Sequence, residues 1–341
     1  MVRKTPPTGT ACFNGASRRI LRDRCENSVR GGYDICMSDA AGQQFLFDEL
    51  DPGRENVPVS AESVPATAAG VTVREVRCKS LLNPCGIADY SFNCYVGCQH
   101  GCGYCYARFM QRFHPHEEEW GRFVDVRVNA PAALTRQLKR MKPGAVFTCS
   151  ACDGWQPLEE RYRLTRECCR LLLDAGFNLT VLTKSRLVLR DLDLFTGRNV
   201  LLGVTIATPD EAEARVWEGG ASSVADRAGI LHQAKAAGLE TSVMFAPLLP
   251  GISDTPAALE KLFSLAAHAK VDRIWTDGLN ARPRVWPSVQ ELLRRHRPDL
   301  HEEYQRILFD REYRRKYKGE LRGRIRRAAR EAGVVDRMNS C

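Results

Sequence analysis

No stretch of the 341 residues approaches the apolar length that crosses a bilayer, so a membrane-spanning helix is excluded and no membrane partner is expected. The opening residues, Met1-Val2-Arg3-Lys4-Thr5-Pro6-Pro7, lack the apolar core of a secretory signal, and the chain is expected to be cytoplasmic. Without an export signal, 14 cysteines do not make a disulfide framework; in a reducing compartment they point to metal or redox chemistry. Acidic residues are sparse towards the far end. Residues 311–337 hold 11 Lys and Arg against 4 Asp and Glu, a net +7 in a chain whose total is +9. Such a patch suits a polyanion such as nucleic acid, and it is equally the pattern of a solvated helix face. The rest is an ordinary globular composition, 44% hydrophobic and 27% charged, in a chain long enough to bury a large core.

The stretch that organises the chain is Asn93-Cys94-Tyr95-Val96-Gly97-Cys98-Gln99-His100-Gly101-Cys102-Gly103-Tyr104-Cys105-Tyr106-Ala107-Arg108. Three thiols, Cys98, Cys102 and Cys105, stand at the spacing Cys-x3-Cys-x2-Cys. Gly97, Gly101 and Gly103 give the backbone the freedom to wrap those side chains around one centre. Thiolates this close suit zinc or an iron-sulfur cluster. A structural zinc site closes its shell with four ligands, whereas three ligands leave one position open for chemistry.

Along the chain, residues 1–70 carry scattered Cys12, Cys25 and Cys36 and a Pro/Ala/Ser/Val-rich run at 57–70. They read as a partly flexible extension and linker, with residues 44–50 as a short docking element. Residues 71–76 alternate like a strand. Further strands are expected at 144–149, 179–184, 199–208, 241–246 and 274–276. Helices are expected after Asn129, over 159–175, 188–195 and 225–237, and from Thr255-Pro256 onward. Nearly continuous apolar strands separated by amphipathic helices imply a parallel sheet with helices outside. Six such units make an incomplete barrel whose active residues gather at the C-terminal strand ends. The cysteine loop is expected after the first strand, residues 71–280 form the barrel, and residues 281–341 form a basic helical region packed on it.

The cysteine loop resembles the signature of the radical S-adenosylmethionine (SAM) superfamily. The likeness extends to Trp120-Gly121-Arg122-Phe123-Val124-Asp125-Val126, Gln156-Pro157-Leu158-Glu159, Tyr162-Arg163-Leu164-Thr165-Arg166, Leu182-Thr183-Lys184-Ser185 and Leu189-Arg190-Asp191-Leu192-Asp193. Together these resemble the spore photoproduct lyase-related, DNA-repair-photolyase-like group over residues 74–280. The resemblance implies an α/β fold, a partial (β/α)6 radical SAM barrel. It implies that Cys98, Cys102 and Cys105 hold a [4Fe-4S] cluster whose fourth iron is chelated by SAM. Tyr104 would lie against the adenine, Lys184 would meet the SAM carboxylate, and Thr205 would offer a hydroxyl to SAM. Ser150 and Asp153 fall where the superfamily binds the SAM amino group. For Thr205, Ser150 and Asp153 an ordinary packing role stays open, as does a surface lysine for Lys184.

The lyases return a hydrogen atom from a cysteine three residues before an aspartate. Here Ser150 stands at that position before Asp153, and Cys149 and Cys152 are the neighbouring thiols, so either is a candidate donor. Tyr104 and Tyr106 match tyrosines that relay the hydrogen atom. Cys149-x2-Cys152 departs from the group, and Cys78, Cys85 and Cys94 add thiols; these five are the ligand pool for a second iron-sulfur cluster. Cys168-Cys169 read as core, and His114 and His116 as solvated. The leading function is reductive cleavage of SAM to a 5′-deoxyadenosyl radical that abstracts hydrogen from a substrate, with lyase-like nucleic-acid chemistry as precedent. A one-electron reductant such as flavodoxin or ferredoxin is the implied partner, with nucleic acid bound through the basic C-terminal region. Two alternatives stand beside it. One is a radical SAM enzyme with an auxiliary cluster acting on a peptide or small molecule. The other is a non-catalytic metal-binding protein that binds nucleic acid.

Overall fold

The computed structural model describes residues 70–280 and 284–338, preceded by two backbone strand segments, β1 (Val57–Pro58) and β2 (Val64–Thr67). Cys12, Cys25, Cys36 and residues 44–50 of the expected extension lie outside the described residues. Alternation puts Val71 and Val73 of β3 (Val71–Arg77) on one buried face, and Val76, buried too, lies on the other. This strand was expected to open the barrel, and the structure corrects that expectation. It joins a side sheet, pairing with β1 and β2 antiparallel and with β7 (Phe123–Arg127) in parallel. A period of two marks a sheet with one covered face, and that is the environment its first residues find.

β4 (Asn83–Pro84) pairs antiparallel with β5 (Tyr90–Phe92), which is the first parallel strand of the main sheet. Three residues carry no period, so β5 left no pattern to read. The chain then runs through β6 (Tyr95–Val96), which edges β7, into the cysteine loop. After β7 comes α1 (Ala130–Leu138), with Pro131 in its first turn, and then β8 (Ala145–Thr148). One helix was expected over 159–175; two form, α2 (Leu158–Tyr162) and α3 (Leu164–Asp174), because Arg163 between them has φ +53°. The buried Glu159 carboxylate accepts from the backbone N–H groups of Thr165 and Arg166, both at 3.0 Å, capping α3 across the break. Gly176, at φ +81°, ends α3 with a bond from its N–H to the Leu173 carbonyl.

β9 (Asn178–Thr183), α4 (Leu192–Phe195) and β10 (Val200–Thr205) follow, and β10 is buried at every position. α5 (Glu211–Trp217), unforeseen in the sequence, is capped by Asp210, which accepts from the Ala212 and Glu213 N–H groups. α6 (Val224–Ala236), β11 (Glu240–Leu248), α7 (Pro256–His268) and β12 (Arg273–Gly278) complete the alternation. Ser223 and Thr255 cap the two helices. The main sheet has the order β4-β5-β8-β9-β10-β11-β12, parallel from β5 onward, so six strands point their C-terminal ends the same way.

The C-terminal region is helical: α8 (Trp286–His296), α9 (His301–Phe309) and α10 (Arg311–Glu331). Leu321, Ile325 and Ala329 of α10 are buried, and α10 lies along α7. The Tyr317 hydroxyl donates to Asp254 at 2.8 Å, and Arg324 meets the same carboxylate at 2.7 Å. Among the described residues, no helix is long and apolar enough to cross a membrane.

Candidate active site

The cysteine loop leaves β6 at the C-terminal end of the parallel strands. Gly97 has φ +95°, and a side chain there would run into the Phe123 backbone. Gln156 pins the loop: its amide donates to the Gly97 carbonyl at 3.2 Å and accepts from the Gln99 N–H at 2.9 Å. Cys98 and Cys102 are buried and Cys105 half-buried. Burial raises the proton affinity of all three thiols, with the Asp153 carboxylate adding to it at Cys98 and Cys102 pushed up to about 12. The C-terminal region covers the loop. A side chain at Gly103 would meet Leu292 of α8, and Arg108 donates to the Ser288 hydroxyl at 2.8 Å. Cys102 and Tyr104 share an apolar cluster with Trp217, Val289, Leu293 and Tyr304.

Asp153 is held at the end of β9. Its carboxylate accepts from the Thr183 hydroxyl at 2.7 Å and the Lys184 N–H at 2.8 Å, and His100 Nδ1 lies 3.5 Å away. Ser150 Oγ accepts from the Asn93 side-chain Nδ2 at 3.3 Å, while Asn93 Oδ1 accepts from the N–H groups of Ala151 and Cys152. The half-exposed Tyr106 donates its hydroxyl to the Ser150 carbonyl. The Lys184 ammonium sits 5.8 Å over the Tyr104 ring and 3.9 Å from Glu218. Thr205 is buried at the end of β10, its carbonyl accepting from Arg227 at 2.8 Å. Cys98, Cys102, Cys105, Tyr104, Tyr106, Ser150, Asp153, Lys184 and Thr205 thus gather at one end of the parallel strands.

The two remaining donor candidates part company. Cys152 lies with Cys98 and Cys105 beside the loop. Cys149, at φ +56°, turns inward to Cys94 and Cys169, and Cys94 Sγ is 3.7 Å from Cys168 Sγ. Cys78 also neighbours Cys94, while Cys85 is half-exposed. The five thiols pooled for a second cluster are therefore divided, with Cys152 on the loop side and Cys149 in the core. The structure also corrects the reading of His116 as solvated. Its side chain is 1% exposed, stacked on Phe123 at 3.7 Å between ring centres, with Asp125 3.2 Å from Nε2.

Residues that sequence reasoning missed complete the surroundings. Glu218 accepts from the Tyr104 hydroxyl and pairs with Arg227, and Trp120 closes the opposite side of the loop. A single buried Glu, Arg or Trp has no periodic signature. The sole hint was Trp120's place in a motif.

Residues 92–263 match the family model described as the Radical SAM superfamily. The chain belongs to this superfamily. This radical SAM enzyme is 31% identical to an uncharacterized protein of Mycobacterium bovis over 252 residues, 70% of this chain and 74% of that one. It is 32% identical to an uncharacterized protein of Methanocaldococcus jannaschii over 187 residues, 54% of this chain and 70% of that one. Among solved structures, its fold is similar to spore photoproduct lyase complexed with dinucleoside spore photoproduct. That match has a TM-score of 0.56 and 16% identity, and covers 75% of this chain and 79% of that one. A mutant lyase with bound AdoMet and dinucleoside spore photoproduct matches with a TM-score of 0.59 at 16% identity, covering 79% and 85%. The likeness to both lyases is one of fold.

The cofactors of a radical SAM enzyme are a [4Fe-4S] cluster and S-adenosylmethionine, and an electron donor feeds the cluster. The site fits them. Two buried N–H groups beside the thiols, Arg108 Nε and Trp120 Nε1, have no oxygen or nitrogen acceptor in the protein, and Trp120 faces the Cys105 sulfur, which suits an anionic sulfur-rich group. Among the described residues, no three His, Cys, Asp or Glu side chains converge on a point suited to a single metal ion.

Proposed function

We propose that Cys98, Cys102 and Cys105 hold the [4Fe-4S] cluster by three corners, and that the chain uses it to generate a radical from SAM and to abstract hydrogen from a nucleic-acid substrate. When bound, the cluster supplies one electron to SAM, which splits to methionine and a 5′-deoxyadenosyl radical. The protein's share is placement and exclusion of water. Lys184 offers a cation to the SAM carboxylate. Asp153 and Ser150 offer acceptors to the amino group, and Thr205 offers a hydroxyl. Tyr104, held by its hydroxyl on Glu218, presents its ring to the adenine. Tyr106 and Cys152 are the residues assigned to carry a hydrogen atom, with Cys149 as the second thiol candidate.

The observation that carries this reading is the convergence of the three loop thiols with Lys184 and Asp153 at the C-terminal strand ends. The nucleic-acid substrate is supported by the exposed Arg311, Arg315, Arg326 and Arg330 of α10. Anaerobic reconstitution tests the chemistry. The wild type is expected to bind about four iron and four sulfide per chain and to form 5′-deoxyadenosine from SAM with dithionite. A Cys98→Ala variant that still makes 5′-deoxyadenosine sinks the assignment.

A further inference from the structure

Trp120 precedes β7 and is 5% exposed. Its ring stands edge-on to Phe123, with centres 5.8 Å apart and planes at 83°, and Phe123 is clamped on another face by His116. Val96, Cys98, Ala107, Met110 and Cys152 complete an apolar wall against which Cys105 packs. The pose is therefore rigid, and the ring's one polar atom is buried within the wall. That Nε1–H has no oxygen or nitrogen acceptor in the protein, and the Cys105 sulfur is the acceptor within its reach. A buried donor left unmatched is costly and calls for an explanation. The group it approaches is the Cys105 thiol.

We propose that Trp120 Nε1–H is the hydrogen-bond donor to Cys105 Sγ when that sulfur holds a corner of the cluster, and that it sets the cluster's reduction potential. This rests on the reading that Cys98, Cys102 and Cys105 are the cluster ligands. Reduction adds one negative charge to the iron-sulfur unit, and that charge spreads onto the thiolate sulfurs. An N–H dipole aimed at one of them stabilises the reduced form and raises the potential. The wall of Val96, Ala107, Met110 and Phe123 is apolar, so the dipole adds to the Ala107 N–H and to the Arg108 and Lys184 charges that also act on Cys105. Arg108 Nε is a second unmatched donor on the Cys102 side, but its guanidinium also ties the loop to Ser288 and cannot be removed without loosening α8. Trp120 is neutral and makes no other polar contact, which isolates the effect. It is a tuning residue, touching the ligand and not the substrate.

The test replaces Trp120 with β-(3-benzothienyl)alanine, which fills the same space with sulfur in place of N–H, and in parallel makes Trp120→Phe. Each reconstituted protein is assayed for iron, for SAM affinity by equilibrium binding, and for midpoint potential by EPR-monitored redox titration. The expected result is a full iron complement and unchanged SAM affinity with a more negative midpoint in both. A benzothienyl variant with a full cluster and the wild-type midpoint overturns the proposal. So does one that cannot assemble the cluster, since the N–H would then serve assembly and not potential. A Cys105→Ala protein that keeps all its iron and its midpoint instead sinks the ligand assignment, whatever Trp120 does.

Discussion

Glu218 and Arg227 meet as a buried ion pair: Oε2 lies 2.7 Å from Nη2, and each side chain is 1% exposed. The same carboxylate takes the Tyr104 hydroxyl, while Arg227 donates onward to the Thr205 carbonyl at 2.8 Å. One pair thus joins the cysteine loop to the end of β10. Removing Glu218 leaves Arg227 buried without a counter-charge, and removing Arg227 leaves Glu218 with only the more distant Lys184, 3.9 Å away, a loss of up to about 3–5 kcal/mol. Glu218→Gln and Arg227→Met are each expected to show it in urea unfolding of the metal-free protein. Wild-type midpoints for both would show that the pair is not the tie described.

The separation of Cys152 from Cys149 predicts different phenotypes. Cys152→Ala, at the loop, is expected to keep 5′-deoxyadenosine formation and lose the coupled product. Cys149→Ala, in the core against Cys94 and Cys169, is expected to cost about 1 kcal/mol of stability with coupling retained. Reversed behaviour in product and 5′-deoxyadenosine assays would assign the hydrogen donor to Cys149.

Burial pushes the His114 imidazole down to about 4, with the Arg127 charge contributing in the same direction. The unfolded chain holds that proton from its ordinary 6.5 downward, so it binds more protons than the folded one between those values. The resulting stability is complete above pH 6.5 and is lost as pH falls towards 4. His114→Gln is expected to flatten the acid limb of the stability curve over that window. Parallel wild-type and variant curves from denaturant midpoints at several pH values would contradict it.

Gly220 packs under the cysteine loop, its N–H donating to the His100 carbonyl at 3.0 Å, and an added Cβ would collide with the Gln99 carbonyl. Gly220→Ala is expected to cost about 1–3 kcal/mol by overpacking and to lower iron retention on gel filtration. Gly229→Ala, with open space around it inside α6, serves as the control, expected to keep its iron and to gain up to about 1 kcal/mol of stability.

Deleting α10 is a poor probe of nucleic-acid binding, because Leu321, Ile325 and Ala329 are part of the core. Replacing exposed Arg311, Arg315, Arg326 and Arg330 with Gln leaves that face intact. Each arginine–phosphate pairing so removed should lower the salt slope of binding by about 1. An unchanged slope in a fluorescence-anisotropy titration against single- and double-stranded DNA would remove α10 from the interface.

The parts legible in the sequence were those whose signal is local. Strands 178–183, 200–205 and 240–248 are apolar runs bounded by glycine and cap residues, and the structure has them within a few residues of expectation. The break at Arg163 was not legible because its cause, the Glu159 carboxylate capping the next helix, lies in side-chain packing and not in period. β5 was not legible because three residues are too few to alternate, and residues 71–76 were placed in the wrong sheet because pairing partners are not written in a strand's own pattern.

The sequence by itself determined the thiol spacing of residues 98–105 and the strand–helix alternation behind five of the six parallel strands, since both follow from neighbours along the chain. Only the tertiary structure decided which way each other thiol faces and which charges are buried together. Tyr104 and Glu218 are 114 residues apart and meet only because α5 packs against the loop, an outcome of volume and hydrogen bonding across elements that no local spacing encodes.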